Sequence, residues 1–144
     1  MLRLDQFLPY RLSVASNAVS QRIAAAYRSR FGLKIPEWRV LAVVAERGGA
    51  NQAELVVATA MDKMTVSRAV TGLSVRGLIA REGPAVDRRT HRLRLTAAGE
   101  ALHAEIAPLA LALEAELLAA LAPSEQRQLM DLLQRLEARA CAES

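Results

Sequence analysis

Apolar residues recur at helical spacing along most of the chain, and Gly, Pro and Asn or Asp mark where one element gives way to the next. Leu12, Val19, Ile23 and Tyr27 fall roughly on one face, and Gly32 follows where a helix would be capped, which predicts a first helix over about residues 8–30. Pro36 suits a first helical position, and Trp38, Leu41, Val44 and Ala45 give the inner side of a second helix closed by Gly48 and Gly49. Asn51 with Glu54 three residues on is an Asn form of the capping box, so a third helix runs from there to about Thr59 with Leu55 and Val56 turned inward. Asp62 caps a fourth, whose Val66, Ala69, Val70 and Leu73 stand at i, i+3, i+4 and i+7. Gly77 ends it.

The period then changes. Leu78 to Glu82 reads as a strand, Gly83 to Thr90 as a loop, and His91 to Leu95 alternates, with His91, Leu93 and Leu95 on one side and Arg92 and Arg94 on the other. This is a β-hairpin. Beyond it Thr96 caps a long helix carrying Leu102, Ile106, Leu109, Leu113, Leu117 and Leu121 on one stripe, and Pro123 opens a last helix with Leu129, Leu132, Leu133 and Leu136. Pro108 lies inside the long helix and is expected to kink it, because it removes one backbone donor and crowds the preceding turn.

Composition adds that the core is built from Leu, Ala and Val, since 52% of the residues are hydrophobic and only 3% aromatic. A length of 144 residues suits one domain. The expected fold is therefore mainly α with a small β-hairpin wing: a helix-turn-helix and wing over about residues 36–95, with helices at about 1–32 and 97–144 to spare. A winged helix does not need those extra helices to close its own core. Their expected use is a subunit interface that makes a homodimer.

Charge sharpens the picture. Lys63, Arg68, Arg76, Arg81, Arg88, Arg89, Arg92 and Arg94 face only Glu82 and Asp87, so residues 63–94 carry +6 while the whole chain carries +4. A local positive field of this kind is the footprint of phosphate neutralisation. The outer side of the fourth helix places Arg68 and Thr71 together, flanked by Thr65 and Ser67, which are groups suited to base edges and phosphates in a major groove. With Asn51 and Gln52 at the start of the third helix and Lys63 and Arg76 at the ends of the fourth, they form the candidate DNA-binding set. Arg88 and Arg89 at the hairpin tip complete it, placed to enter a minor groove, and Asp87 beside them is expected to order the tip by pairing with an Arg.

Met61 to Ile79, MDKMTVSRAVTGLSVRGLI, and Asp87 to Glu100, DRRTHRLRLTAAGE, resemble the MarR family of bacterial transcriptional regulators. The second segment is similar to the family's wing signature, whose Asp and Arg fall on Asp87 and Arg89. The resemblance covers nearly the whole chain and implies a homodimeric winged helix-turn-helix protein that binds a pseudo-palindromic double-stranded DNA operator. It further implies a repressor released by a small anionic or phenolic effector, held between the dimerisation helices and the winged domain. Arg11, Ser13 and Asn17 on the first helix and Trp38 and Arg39 on the second are the polar and aromatic candidates there, although core packing and surface ion pairing explain the same residues.

Several classes have no support. His91 and His103 are the only histidines, and no zinc-protease motif, paired Cys ligands, phosphate-binding Gly loop or nucleophile elbow accompanies them, so neither enzyme, metal nor cofactor is expected. Cys141 is the one cysteine, and the family's thiol-sensing members carry theirs in the first helix, where this chain has none. No apolar run approaches the ~20 residues of a membrane span, the N-terminus lacks a signal-peptide core, and a lone Cys that can form no intrachain disulfide makes a reducing cytoplasm the expected compartment. Two other readings stay open: a winged-helix module that binds protein rather than DNA, and a ligand-binding protein without operator recognition.

Overall fold

In a computed structural model, which describes residues 1–83 and 91–142, a single 3-10 turn at Leu4–Gln6 precedes six helices and two strands. These are α1 (Leu8–Phe31), α2 (Ile35–Arg47), α3 (Gln52–Thr59), α4 (Lys63–Val75), β1 (Ile79–Glu82), β2 (Arg92–Leu95), α5 (Ala97–Leu118) and α6 (Pro123–Cys141). The boundaries follow the caps. Gly32 and Gly48 both take left-handed backbone at the ends of α1 and α2, where a side chain would be strained. Asn51 Oδ1 accepts from Glu54 N at 2.8 Å while Glu54 Oε1 accepts from Asn51 N at 3.2 Å, a reciprocal box that starts α3.

The chain forms two compact units, the first Met1–Ala110 and the second beginning at Leu111, so the division falls inside α5. The first unit holds the core. Leu33, Val40, Leu41, Val44, Leu55, Val66, Val70, Leu73 and Leu93 are fully buried there, with Ala24 and Tyr27 of α1 and Ile106 of α5. The buried stripe of α4 is the expected one, Val66, Ala69, Val70 and Leu73. Strands β1 and β2 pair antiparallel from Ile79↔Leu95 to Glu82↔Arg92, and Leu93 also bridges Ala50, exchanging backbone bonds of 2.8 and 3.1 Å. The hairpin is thus tied to the α2–α3 turn. Arg92 reinforces the tie by donating to Gly49 O at 3.1 Å.

Where the hairpin meets α5, Thr96 makes the joint. Its hydroxyl donates to Gly77 O at 2.6 Å and accepts from Gly99 N at 3.1 Å, and its own N–H donates to Leu78 O at 3.0 Å. Gly99 lies so close to Leu78 O that no Cβ would fit. Pro108 sits inside α5 without ending it. The helix stops at Leu118 rather than running through Leu121, because Gln126 turns its amide back to donate to Leu118 O at 2.9 Å and Leu121 O at 3.1 Å.

Two expected faces are not covered by the chain itself. Leu12 and Val19 of α1 are exposed, together with Leu8, Tyr10 and Val14, so only the C-terminal half of α1 packs on the core. In the second unit, α6 has no buried residue, although Leu129, Leu132, Leu133 and Leu136 lie on one side of it.

Candidate nucleic-acid interface

Helix α4 begins at Asp62, whose carboxylate accepts from Thr65 N at 2.8 Å and from the Thr65 hydroxyl at 3.0 Å. Those bonds, the backbone one first, hold the Asp62 carboxyl below the usual carboxylate value. A pKa lowered by folding contributes stability that is present above the unfolded value and lost as pH falls through the folded one, so this cap weakens only under acid conditions. Thr65 is consequently committed to the helix start. Its hydroxyl proton is spent, which removes it from the expected set of base-reading donors.

The buried stripe on one side fixes what the other side presents. Lys63, Ser67, Arg68 and Thr71 are all exposed, and neither Lys63 nor Arg68 is paired with an acid among the described residues. Helix α3 stands next to this face, and a cleft of about 680 Å3 between the two is lined by Gln52, Ala53, Val56, Val57, Lys63, Val66 and Ser67. The expected residues Gln52, Lys63 and Ser67 therefore come together. Asn51 does not join them as a free side chain, since its oxygen caps α3.

Arg76 is placed elsewhere than expected. Its guanidinium donates to Phe31 O at 2.9 Å and Gly32 O at 3.4 Å, satisfying the last carbonyls of α1. It ties the end of α4 to the end of α1 instead of joining the outward set of Lys63, Ser67, Arg68 and Thr71. Nothing in the sequence marks this, because donor and acceptor are 45 and 44 residues apart. On the hairpin, Arg94 pairs with Glu82 at 2.9 Å and Arg92 is held on Gly49, so the strand arginines brace the wing. Asp87, Arg88 and Arg89 lie outside the described residues.

A second constellation sits in the first unit, on α1, α2 and α5. The Trp38 ring lies between Tyr27, at 5.6 Å, and His103, stacked at 5.7 Å and 18°. Arg39 donates to Ser20 Oγ at 3.4 Å. Burial pushes the Tyr27 phenol above its usual value, with Arg39 and Arg28 pulling it part of the way back, so the hydroxyl stays neutral and able to donate. His103 also borders a cleft of about 340 Å3 with Val44, Ala45, Gly48, Arg94, Leu95 and Glu100. Of the expected ligand residues Trp38 and Arg39 belong here, whereas Arg11, Ser13 and Asn17 are exposed further up α1. Helical periodicity places Tyr27 on the inner face of α1 and assigns His103 no partner. Their convergence on Trp38 has no sequence signal. His91 is buried with Leu93 on the inner side of the hairpin, as the alternation of His91 to Leu95 predicts.

Comparison with known proteins agrees with this geometry. The MarR family model matches residues 31–90, which include α2, α3, α4 and β1. The transcriptional regulator HosA of Escherichia coli O127:H6 is 31% identical over 101 residues, covering 70% of this chain and 75% of HosA. A MarR/EmrR family transcriptional regulator from Acinetobacter sp. ADP1 superposes with a TM-score of 0.88 at 26% identity, covering 98% of this chain and 99% of that one. Bordetella bronchiseptica BpsR, whose DNA binding is regulated by 6-hydroxynicotinic acid, shares the fold with a TM-score of 0.82 at 24% identity, covering 95% of this chain and 97% of BpsR. A helix with a cationic outer face, a braced hairpin and these likenesses lead to one conclusion: the chain belongs to the MarR family of transcriptional regulators.

Proposed function

We propose that this regulator is a homodimeric repressor that binds a pseudo-palindromic operator in double-stranded DNA and is released by a small anionic or phenolic aromatic effector. It acts by binding rather than catalysis, in the cytoplasm where the chromosome is. The observation that carries the DNA reading is the two-sidedness of α4. Val66, Ala69, Val70 and Leu73 are locked in the core while Lys63, Ser67, Arg68 and Thr71 face outward, so the polar side is presented on a rigid element. Arg68 reads a base edge, Ser67 and Thr71 supply short hydrogen-bonding groups, and Lys63 with the Gln52 end of α3 neutralises phosphate. The minor-groove contact expected of Arg88 and Arg89, and the role expected of Asp87, fall outside the described residues and remain part of this proposal.

The dimer reading rests on uncovered apolar faces. An amphipathic helix of 19 residues with no buried side chain is poorly stable alone in water, and a second copy covering Leu129, Leu132, Leu133 and Leu136 of α6 would stabilise it. The exposed apolar half of α1 has the same need. The effector reading rests on Trp38 stacked with His103, Arg39 for a carboxylate and the neutral Tyr27 hydroxyl for a phenol or acid. BpsR, with its hydroxylated aromatic acid, is a precedent for that ligand class within the fold.

Selection of bound fragments from the source genome tests the operator reading. An inverted repeat with half-sites about one helical turn apart is expected. Recovery of no common sequence, with binding that depends only on salt, would refute operator recognition.

A further inference from the structure

The outward stripe of α4 is polar except at its two ends, Met64 and Val75. Counting from Met64, Ser67, Arg68 and Thr71 stand at i+3, i+4 and i+7, so Met64 lies on the same face, one turn toward the helix start. Met64 is 63% exposed and takes no part in the core cluster. Met64 is the second residue of α4, in the turn capped by Asp62. In helix-turn-helix proteins the first residues of the recognition helix are the ones that approach base edges.

A thioether side chain has no hydrogen to donate and accepts only weakly, so it gives little to a phosphate or to the polar edge of a base. It is long, unbranched and polarisable, which suits contact with a small apolar group. The major groove offers one such group, the 5-methyl of thymine. We propose that Met64 is a specificity-determining residue that covers a thymine methyl in the operator half-site, next to the base read by Arg68. This rests on the operator reading above, and it adds a sequence preference that the polar residues of α4 do not supply.

Val75 provides the internal comparison. It is equally apolar and 82% exposed on the same helix. It stands eleven residues on, about 16 Å toward the C-terminal end, where the helix has left the region that meets base edges. Exposure alone thus predicts the same behaviour for both residues, whereas groove contact predicts it for Met64 only.

The test uses the operator recovered by selection, with each thymine of one half-site replaced singly by deoxyuridine, which removes the methyl and leaves base pairing unchanged. Wild-type protein should lose about fourfold in affinity at one or two positions, the effect of burying one methyl-sized group. Met64→Ala, which removes the contact from both half-sites of the dimer, should bind the unmodified operator about sixteenfold more weakly and be indifferent to uracil at those positions. Val75→Ala should keep the full wild-type sensitivity. Wild-type indifference at every thymine, or a Met64→Ala protein that still discriminates thymine from uracil as wild type does, overturns the inference and leaves operator binding standing. Failure of the selection to yield any operator removes both.

Discussion

Gly72→Ala is expected to destabilise this protein although Ala is the better helix former. In the middle of α4, Gly72 meets the carboxylate of Glu37, and a Cβ at that position would overlap Glu37 Oε2. Glu37 cannot yield at no cost. It is buried, and its Oε1 accepts from Lys34 N at 2.9 Å, which satisfies one of the unpaired donors at the start of α2. Ala gains about 1 kcal/mol over Gly in a helix interior. Pushing the carboxylate off its donor costs about 1.5–3 kcal/mol, the range for a hydrogen bond to a charged group that is left buried. The net expectation is a loss of about 0.5–2 kcal/mol. In a Glu37→Ala background the obstacle is gone, so the same change should stabilise by about 1 kcal/mol. Urea denaturation of the four proteins at one fixed concentration reads this reversal of sign directly. If Gly72→Ala shifts stability in the same direction in both backgrounds, the Glu37 contact is not what requires glycine.

Three further outcomes follow from particular contacts. Arg76→Ala should lower stability by about 0.5–1 kcal/mol, a charged bond to carbonyl reduced by exposure, and leave operator affinity within about twofold, since the guanidinium caps α1; a large affinity loss in titrations would return Arg76 to the DNA-binding set. Ala60 caps α3 at φ 55°, and Ala60→Gly should stabilise by about 0.5–1 kcal/mol by relieving left-handed strain, read as a higher Tm at matched concentration. Leu132 is exposed within the single chain, so Leu132→Arg should dissociate a dimer while the first unit keeps its helical signal; equilibrium sedimentation showing wild type as a monomer of 15.6 kDa at micromolar concentration contradicts the dimer itself.

What the sequence made legible is what is decided locally. Gly32, Pro36, Asn51, Asp62, Thr96 and Pro123 all stand at element boundaries, because caps and turns depend on residues within one turn of each other. The inner stripe of α4 and the alternation of His91 to Leu95 were readable for the same reason. Contacts between distant segments were not. Periodicity placed Leu12 and Val19 on an apolar face, but it measures amphipathicity and says nothing about which surface covers that face. Arg76 looked like one more cation of a basic stretch until its acceptors on α1 were in view. Thr65 and Asn51 have the chemistry of base readers, yet a short side chain at a helix start is captured first by the nearest backbone N–H or by the cap. Charge summed along the chain could not separate the braced Arg92 and Arg94 from Lys63 and Arg68, which pair with no acid among the described residues.

The central claim is that Arg68 on α4 reads sequence, and comparing operator with random DNA tests it most directly. Titrations of wild type and Arg68→Ala on both DNAs, at several salt concentrations, should show a loss of about 1–3 kcal/mol on the operator and a much smaller one on random sequence, narrowing the ratio between the two. Equal losses on both, with a salt slope shallower by about one unit per subunit, would make Arg68 a phosphate clamp and contradict the assignment of base recognition to this face.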